Sequence, residues 1–260
     1  MTGTDMRGKV ALVTGATRGI GRATAVAFAR AGAIVVGLGR SVEDGHETLR
    51  LVREAGGEGA FVRADVTDAR QLEESVAETL RRFGRLDYAF NNAGIAGSGA
   101  PAGEYTEEEW RRIIDVNLTG VWLAMKYELP PMLAQGSGVI VNNSSALGHV
   151  AIPGQAAYVA SKHAILGLTK AAALDYAGRG VRVCAICPGF VETAMVGGET
   201  MSAASRAAML SVEPIGRLGR PEEIANAVVW MCSDEAAFMT GSAMVLDGGW
   251  LAGHRLRSGA

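Results

Sequence analysis

Short apolar runs alternate along the chain with longer stretches in which apolar positions recur every three or four residues. The first pattern predicts buried strands and the second amphipathic helices. Strands are expected at Lys9–Thr14, Ala33–Leu38, Gly59–Arg63, Leu86–Phe90, Val139–Asn143, Gly180–Cys187 and Ala243–Leu246. Helices are expected at Ile20–Ala31, Glu43–Ala55, Asp68–Phe83, Thr106–Asn117, Thr119–Ala134, Ala156–Ala177 and Pro221–Cys232. The strands are nearly all apolar, as parallel strands covered on both faces must be. Strand–helix alternation predicts an α/β fold with a parallel sheet between two helical layers. No Pro/Ser/Gly-rich linker divides residues 1–260, so one domain is expected. The stretch from Phe190 to about Glu213 reads as irregular and too long for a plain connection, which points to a lid or mobile segment.

Composition narrows the function classes. A chain of 260 residues can bury a core without disulfides or metals. With 25 Lys and Arg against 27 Asp and Glu it has no positive field for nucleic acid. No run approaches the roughly 18 uncharged apolar residues of a membrane span. Met1–Val10 carries Asp5, Arg7 and Lys9, unlike a secretory signal. Three cysteines make no disulfide framework. Cys184 and Cys187 form a C-x-x-C, but within an apolar strand they point to opposite faces. They read as buried thiols, which fits a cytoplasmic location. His46, His163 and His254 have no metal or triad spacing, so no metal is assigned.

Glycine, 35 residues, marks where backbone must turn tightly or approach a ligand. Gly15-Ala16-Thr17-Arg18-Gly19-Ile20-Gly21 joins the first strand to the first helix. Backbone N–H groups and the helix dipole there suit a pyrophosphate. The spacing is G-x-x-x-G-x-G rather than G-x-G-x-x-G. An acidic residue at the end of the second strand would accept from a ribose 2′-hydroxyl, whereas a basic one suits a 2′-phosphate. Here the corner is Gly39-Arg40-Ser41, and Arg18 lies in the glycine turn nearby. Two guanidiniums favour NADP(H) over NAD(H). The competing reading is a solvated Arg40 with Glu43 or Asp44 at an NAD(H) ribose.

Tyr158 and Lys162 lie at i and i+4, on one face of the expected long helix. A neighbouring ammonium favours tyrosinate and tunes the phenol toward proton transfer. Taken with Thr14-Gly15-x-x-x-Gly19-Ile20-Gly21, Asp65-Val66, Asn91-Asn92-Ala93-Gly94, Asn117, Ser145, Pro188-Gly189 and Thr193, the sequence resembles the short-chain dehydrogenase/reductase family from about Gly8 to Leu251. The run Thr240-Gly241-Ser242 to Asp247-Gly248-Gly249 is also similar to the family's.

The resemblance implies a Rossmann-like three-layer α/β/α fold with seven parallel strands in the order 3-2-1-4-5-6-7. It implies that Tyr158 is the general acid or base in ketone–secondary alcohol interconversion. Lys162 would lower its pKa and bind the nicotinamide ribose, and Ser145, with Ser144 as rival, would bond the substrate oxygen. Asn117 would hold a relay water. Asp65 and Val66 would meet the adenine, and Asn91, Ala93 and Gly94 would wall its ribose, with Asn91 alternatively pinning the sheet. Pro188, Gly189, Val191 and Thr193 would fix the carboxamide.

Substrate would meet Ile95, Ala96, Leu147, His149, Gln155, Phe190 and Met195, a mostly apolar set that suits a hydrophobic or mixed ketone. The family also contains 3-oxoacyl-[acyl-carrier-protein] reductases, which carry basic docking residues. Here Gln135–Gly138 is uncharged while Arg179 is present, half of such a patch. An alternative of another class, a cofactor-binding regulator or scaffold without turnover, sits poorly with an unbroken catalytic set. The resemblance implies a homotetramer built on the helices at 119–134 and 156–177 and on the last helix and strand. The tail Gly253–Ala260 would be disordered or cross a subunit boundary.

Overall fold

The computed structural model describes residues 5–197 and 201–253. Residues 198–200, inside the expected lid, and the tail from 254 onward lie outside the described residues. Seven strands, β1 (Val10–Thr14), β2 (Ile34–Gly39), β3 (Gly59–Arg63), β4 (Tyr88–Asn91), β5 (Gly138–Asn143), β6 (Val181–Pro188) and β7 (Ala243–Leu246), form one sheet. All pairings are parallel and the order is β3-β2-β1-β4-β5-β6-β7, as expected. The order reverses between β1 and β4, and the C-terminal ends of those strands open a crevice there.

The two faces are covered by different helices. On one, Phe28 and Ala25 of α1 (Gly19–Arg30), Val52 of α2 (Val42–Glu54) and Ile224 and Val228 of α8 (Pro221–Cys232) pack on Val13, Val35 and Ile186. On the other, α3 (Ala69–Phe83), α5 (Gly120–Gln135) and α6 (Ala156–Tyr176) pack on Leu12, Val36, Ile140 and Val183. Local sequence sets several ends. Asp68 caps α3 by accepting from Arg70 N and Gln71 N, and Gly84 closes it at φ 75°. Pro221 opens α8. Cys184 and Cys187 are free and buried on opposite faces of β6.

Two expectations about elements need correction. The two helices expected around residue 118 are continuous: α4 (Glu107–Ile114) runs through a π-turn at Asp115–Thr119 into α5. The stretch expected to be irregular carries α7 (Ala203–Val212), capped by Ser202 accepting from Ser205 N. Ala-rich sequence sustains a helix there although none of its residues is buried.

Candidate active site

The glycine turn needs its glycines. Gly15 and Gly19 have φ of 64° and 53°. A Cβ on Gly15 would come within 2.9 Å of Ala93 Cα, and one on Gly21 within 2.2 Å of Gly15 O. A Cβ on Gly19 would meet Thr193 at 3.1 Å, so the turn and the loop after β6 face each other. No side chain caps α1, and its first turn holds no acidic residue. Its leading N–H groups therefore face the crevice without a competing carboxylate. Ile20 follows Gly19 in the first turn of α1, and buried Thr17 packs under Gly39, where a Cβ would meet it at 2.5 Å.

At the ribose corner Arg40 and Arg18 are both exposed, as a phosphate grip needs, and both already face carboxylates. Arg40 lies 3.8 Å from Asp65 and Arg18 lies 3.3 Å from Asp44. Asp65 also accepts from Thr67 N and Oγ1. Val66 is buried against the start of α5.

A double layer of asparagines locks the middle of the crevice. Asn92 Nδ2 donates to Thr14 O at 3.0 Å, and Asn143 Nδ2 donates to Asn92 Oδ1 at 3.0 Å. On the opposite face Asn91 Nδ2 donates to Glu128 Oε2 at 3.0 Å and to Asn142 Oδ1 at 3.1 Å. The Asn91 side chain thus pins β4 to β5 and α5 rather than facing the crevice, the alternative reading of that residue. Burial pushes Glu128 up to about 7, against the Asn91 hydrogen bond. Asn92 and Glu128 were missed as structural partners; the repeated Asn-Asn at the ends of β4 and β5 was the available signal.

Lys162, buried on α6, donates from Nζ to Asn143 O at 2.7 Å and sits 5.4 Å from the Tyr158 ring centroid. Burial draws its ammonium down to about 8. Burial raises the Tyr158 phenol above its ordinary value, and a hydrogen bond with the Ser145 hydroxyl opposes that rise. Lys162 stands 5.4 Å from the ring, and the net shift of the phenol is upward rather than the expected downward one. Ser144 Oγ instead donates to Lys162 O at 2.8 Å, which leaves Ser145 as the hydroxyl beside Tyr158. Asn117 is buried in the π-turn, a distortion common at functional sites. Its side chain bonds both Ile95 N and Ile95 O. A Cβ on Gly94 would lie 3.4 Å from Asn117 Oδ1 and 3.8 Å from Lys162 Nζ. Gly94, Asn117 and Lys162 therefore converge.

The side expected to meet substrate is apolar. Leu147, Tyr158, Val159, Ile152, Phe190, Val212, Trp250 and Leu251 form one cluster. The Phe190 and Trp250 rings stack at 5.1 Å and 14°. Trp250, Val212, Ile152 and Leu251 were missed; an aromatic placed straight after Asp247-Gly248-Gly249 was a signal for the first. Gln155 Oε1 accepts from Gly97 N, tying two rim loops. Ala96, His149 and Met195 are exposed and stand outside that cluster. Val191 is buried and bridges to Gly219. Pro188 ends β6, and Gly189 just beyond it donates from its N to Leu246 O at 2.9 Å. Among the described residues no group of His, Cys, Asp and Glu has metal-holding geometry.

A phosphate-type turn at a parallel-sheet switch point, with a Tyr, Lys, Ser and Asn cluster across the crevice, defines a nicotinamide-dependent oxidoreductase. Residues 15–251 match a family model described as enoyl-(acyl carrier protein) reductase. The chain is 42% identical to a cyclohexanol dehydrogenase of Acinetobacter sp., over 93% of this chain and 94% of that protein. It is 45% identical to a cis-4-hydroxycyclohexanecarboxylate dehydrogenase of Sinomonas cyclohexanicum, over 94% and 97%. The crystal structure of a levodione reductase superposes with a TM-score of 0.92 at 36% identity, covering 96% of this chain and all of that one. The chain belongs to the short-chain dehydrogenase/reductase family. It is an NAD(P)-dependent oxidoreductase that interconverts a ketone and a secondary alcohol.

Proposed function

We propose that the substrate is a secondary alcohol on a carbocycle, or its ketone, and that NADP(H) is the preferred cofactor. The observation that carries the substrate reading is the stacked Phe190–Trp250 plate in one apolar cluster with Tyr158 and Leu147. A flat apolar wall of this kind accepts a six-membered ring better than a polyanion or a flexible chain. Two relatives whose names carry a hydroxylated cyclohexane support the same class. Exposed Arg40 and Arg18 support NADP(H), since each can exchange a carboxylate partner for a 2′-phosphate.

The cofactor fits the backbone cradle at Gly15, Gly19 and Gly21, where side chains would close the space. When bound, the nicotinamide supplies or accepts the hydride. The chain's own residues do the rest. Ser145 donates to the substrate oxygen and Tyr158 gives it a proton in reduction, or takes one in oxidation. Burial raises the Tyr158 phenol above its ordinary value, the direction that favours the proton-donor form used in reduction. Lys162, held by Asn143 O, places a cation beside the ring, and Asn117 orients the Ile95 loop at the same point. Thr17, Ile20, Asp65, Val66, Ala93, Gly94, Pro188, Gly189, Val191 and Thr193 complete the cofactor wall.

As one domain, the chain assembles into a homotetramer. Trp122 on α5 and Leu174 on α6 are exposed, as are Trp230 on α8, fully exposed Phe238 and Val245 on β7. Exposed large apolar side chains on the helices and strand named for the two interfaces support that assembly. The three buried free thiols suit a cytoplasmic location. Gln135 spends its side chain on the Leu86 backbone, and the turn after it is uncharged, so nothing there favours acyl-carrier docking.

The test is a panel of cyclic, acyclic, steroid and 3-oxoacyl-thioester carbonyls assayed with NADPH and with NADH. Cyclohexanone-type ketones should show the highest kcat/KM, and NADPH should outperform NADH. A 3-oxoacyl thioester or an acyclic ketone ahead of them would overturn the substrate reading. NADH ahead of NADPH would overturn the cofactor reading.

A further inference from the structure

Glu213 follows α7 and is 3% exposed, yet none of the catalytic steps above uses it. Its Oε1 accepts the Phe190 N–H at 2.5 Å, and its Oε2 is buried with no partner. The carboxyl sits tightly in backbone: a Cβ on Gly189 would fall 2.5 Å from Glu213 Oε1 and 2.8 Å from Asp247 Cα. Asp247 in turn accepts from Gly249 N at 2.9 Å and from Leu251 N at 2.7 Å, which fixes the turn carrying Trp250. Ile215 N closes the frame by donating to Gly248 O at 3.0 Å. One carboxyl thus holds Phe190 and the next holds the turn of Trp250, and the two rings stack between them.

We propose that Glu213 is a positioning residue for substrate: through the Phe190 amide its carboxyl sets the Phe190–Trp250 plate beside Tyr158 and so fixes the fit of the substrate ring. This rests on the substrate side assigned above. A buried carboxylate kept at the cost of desolvation needs a role, and here its acceptor is spent on one wall residue. The groups facing it are Asp247, from the loop after β7, Arg217, from the segment after α7, and the Phe190 N–H, from the loop after β6. Burial and Asp247 push Glu213 up to about 7, while the Phe190 N–H and Arg217 draw it down. Ionised Glu213 accepts the amide more strongly than the neutral acid. The wall is therefore firmer above neutral pH.

The experiment compares wild type with Glu213→Ala, Glu213→Asp and Glu213→Gln on the best substrate of the panel. Glu213→Ala and the too-short Glu213→Asp should raise KM about tenfold, a lost hydrogen bond of ordinary strength. The Kd of NADPH should stay within about twofold. Glu213→Gln keeps a neutral acceptor and should hold KM near the wild-type value at pH 6, below that of Glu213→Ala. Wild-type KM should fall between pH 6 and pH 8, whereas the Gln variant should lack that slope. If Glu213→Ala does not fold, Glu213→Asp decides the matter. An unchanged KM in Glu213→Asp, or a Gln variant that keeps the wild-type pH slope, would overturn the proposal. If the best substrate proves acyclic, the carbocycle reading fails while the KM comparison still judges Glu213.

Discussion

The turn after β1 and the segment after β6 both leave the C-terminal edge of the sheet and face each other at Gly19 and Thr193. They are built on opposite principles. The first is backbone: positive-φ glycines, an uncapped helix start and contacts too close for any side chain. The second is side chains gathered from distant places, with Leu147, Tyr158, Phe190, Val212 and Trp250 drawn from five segments. On the reading proposed above, a cofactor common to many enzymes would be held by close-packed backbone, and the substrate would be met by packed side chains that can be exchanged one residue at a time.

The contrast can be broken most severely at Gly21. Gly21→Ala puts a Cβ on Gly15 O and should cost about 1–3 kcal/mol of stability as an overpacked site. Cofactor affinity should fall with it; thermal melts with and without NADPH measure both. Next in size is Arg40→Asp, which should lower the NADPH-to-NADH ratio of kcat/KM about tenfold, with a charge-assisted contact turned repulsive. An unchanged ratio would remove Arg40 from the ribose site. On the side-chain end, Trp250→Leu should raise KM for a cyclic ketone about three- to tenfold through loss of the stacked ring. Its NADPH Kd should not move, and a change there would blur the division between the two ends.

The smallest effect is expected in the frame both ends share. Glu128 has a folded pKa of about 7 against an ordinary value of 4.5, so the folded chain holds a proton the unfolded chain releases. Its contribution to stability is present below pH 4.5, is lost as pH rises toward 7, and does not change further above that. Glu128→Gln, still able to accept from Asn91, should flatten that part of the stability profile, which melts at pH 5 and pH 7.5 would show.

Most of the frame was legible because parallel strands buried on both faces write themselves as apolar runs. Every strand fell within two residues of its expected bounds at each end. Gly15 to Gly21, Tyr158 and Lys162 were legible because their spacing is local. What was not legible depends on docking. Nothing local marks Glu213 as the acceptor of Phe190 N–H, or Trp250 as its stacking partner. Helix α7 was hidden because it buries none of its residues, so no apolar face announced it. The separation of Asn91 from Asn92 onto opposite faces follows from strand alternation, and the buried partner Glu128 becomes visible only when α5 is laid across β4 and β5.

The most direct test of the site is Tyr158→Phe assayed beside wild type for NADPH oxidation with a cyclic ketone, with NADPH binding measured on the same samples. The expected result is a loss of about 10²–10⁴-fold in kcat with cofactor affinity nearly intact, as removal of a proton donor requires. A Phe variant that turns over like wild type would contradict the role of Tyr158 and the chemistry built around it.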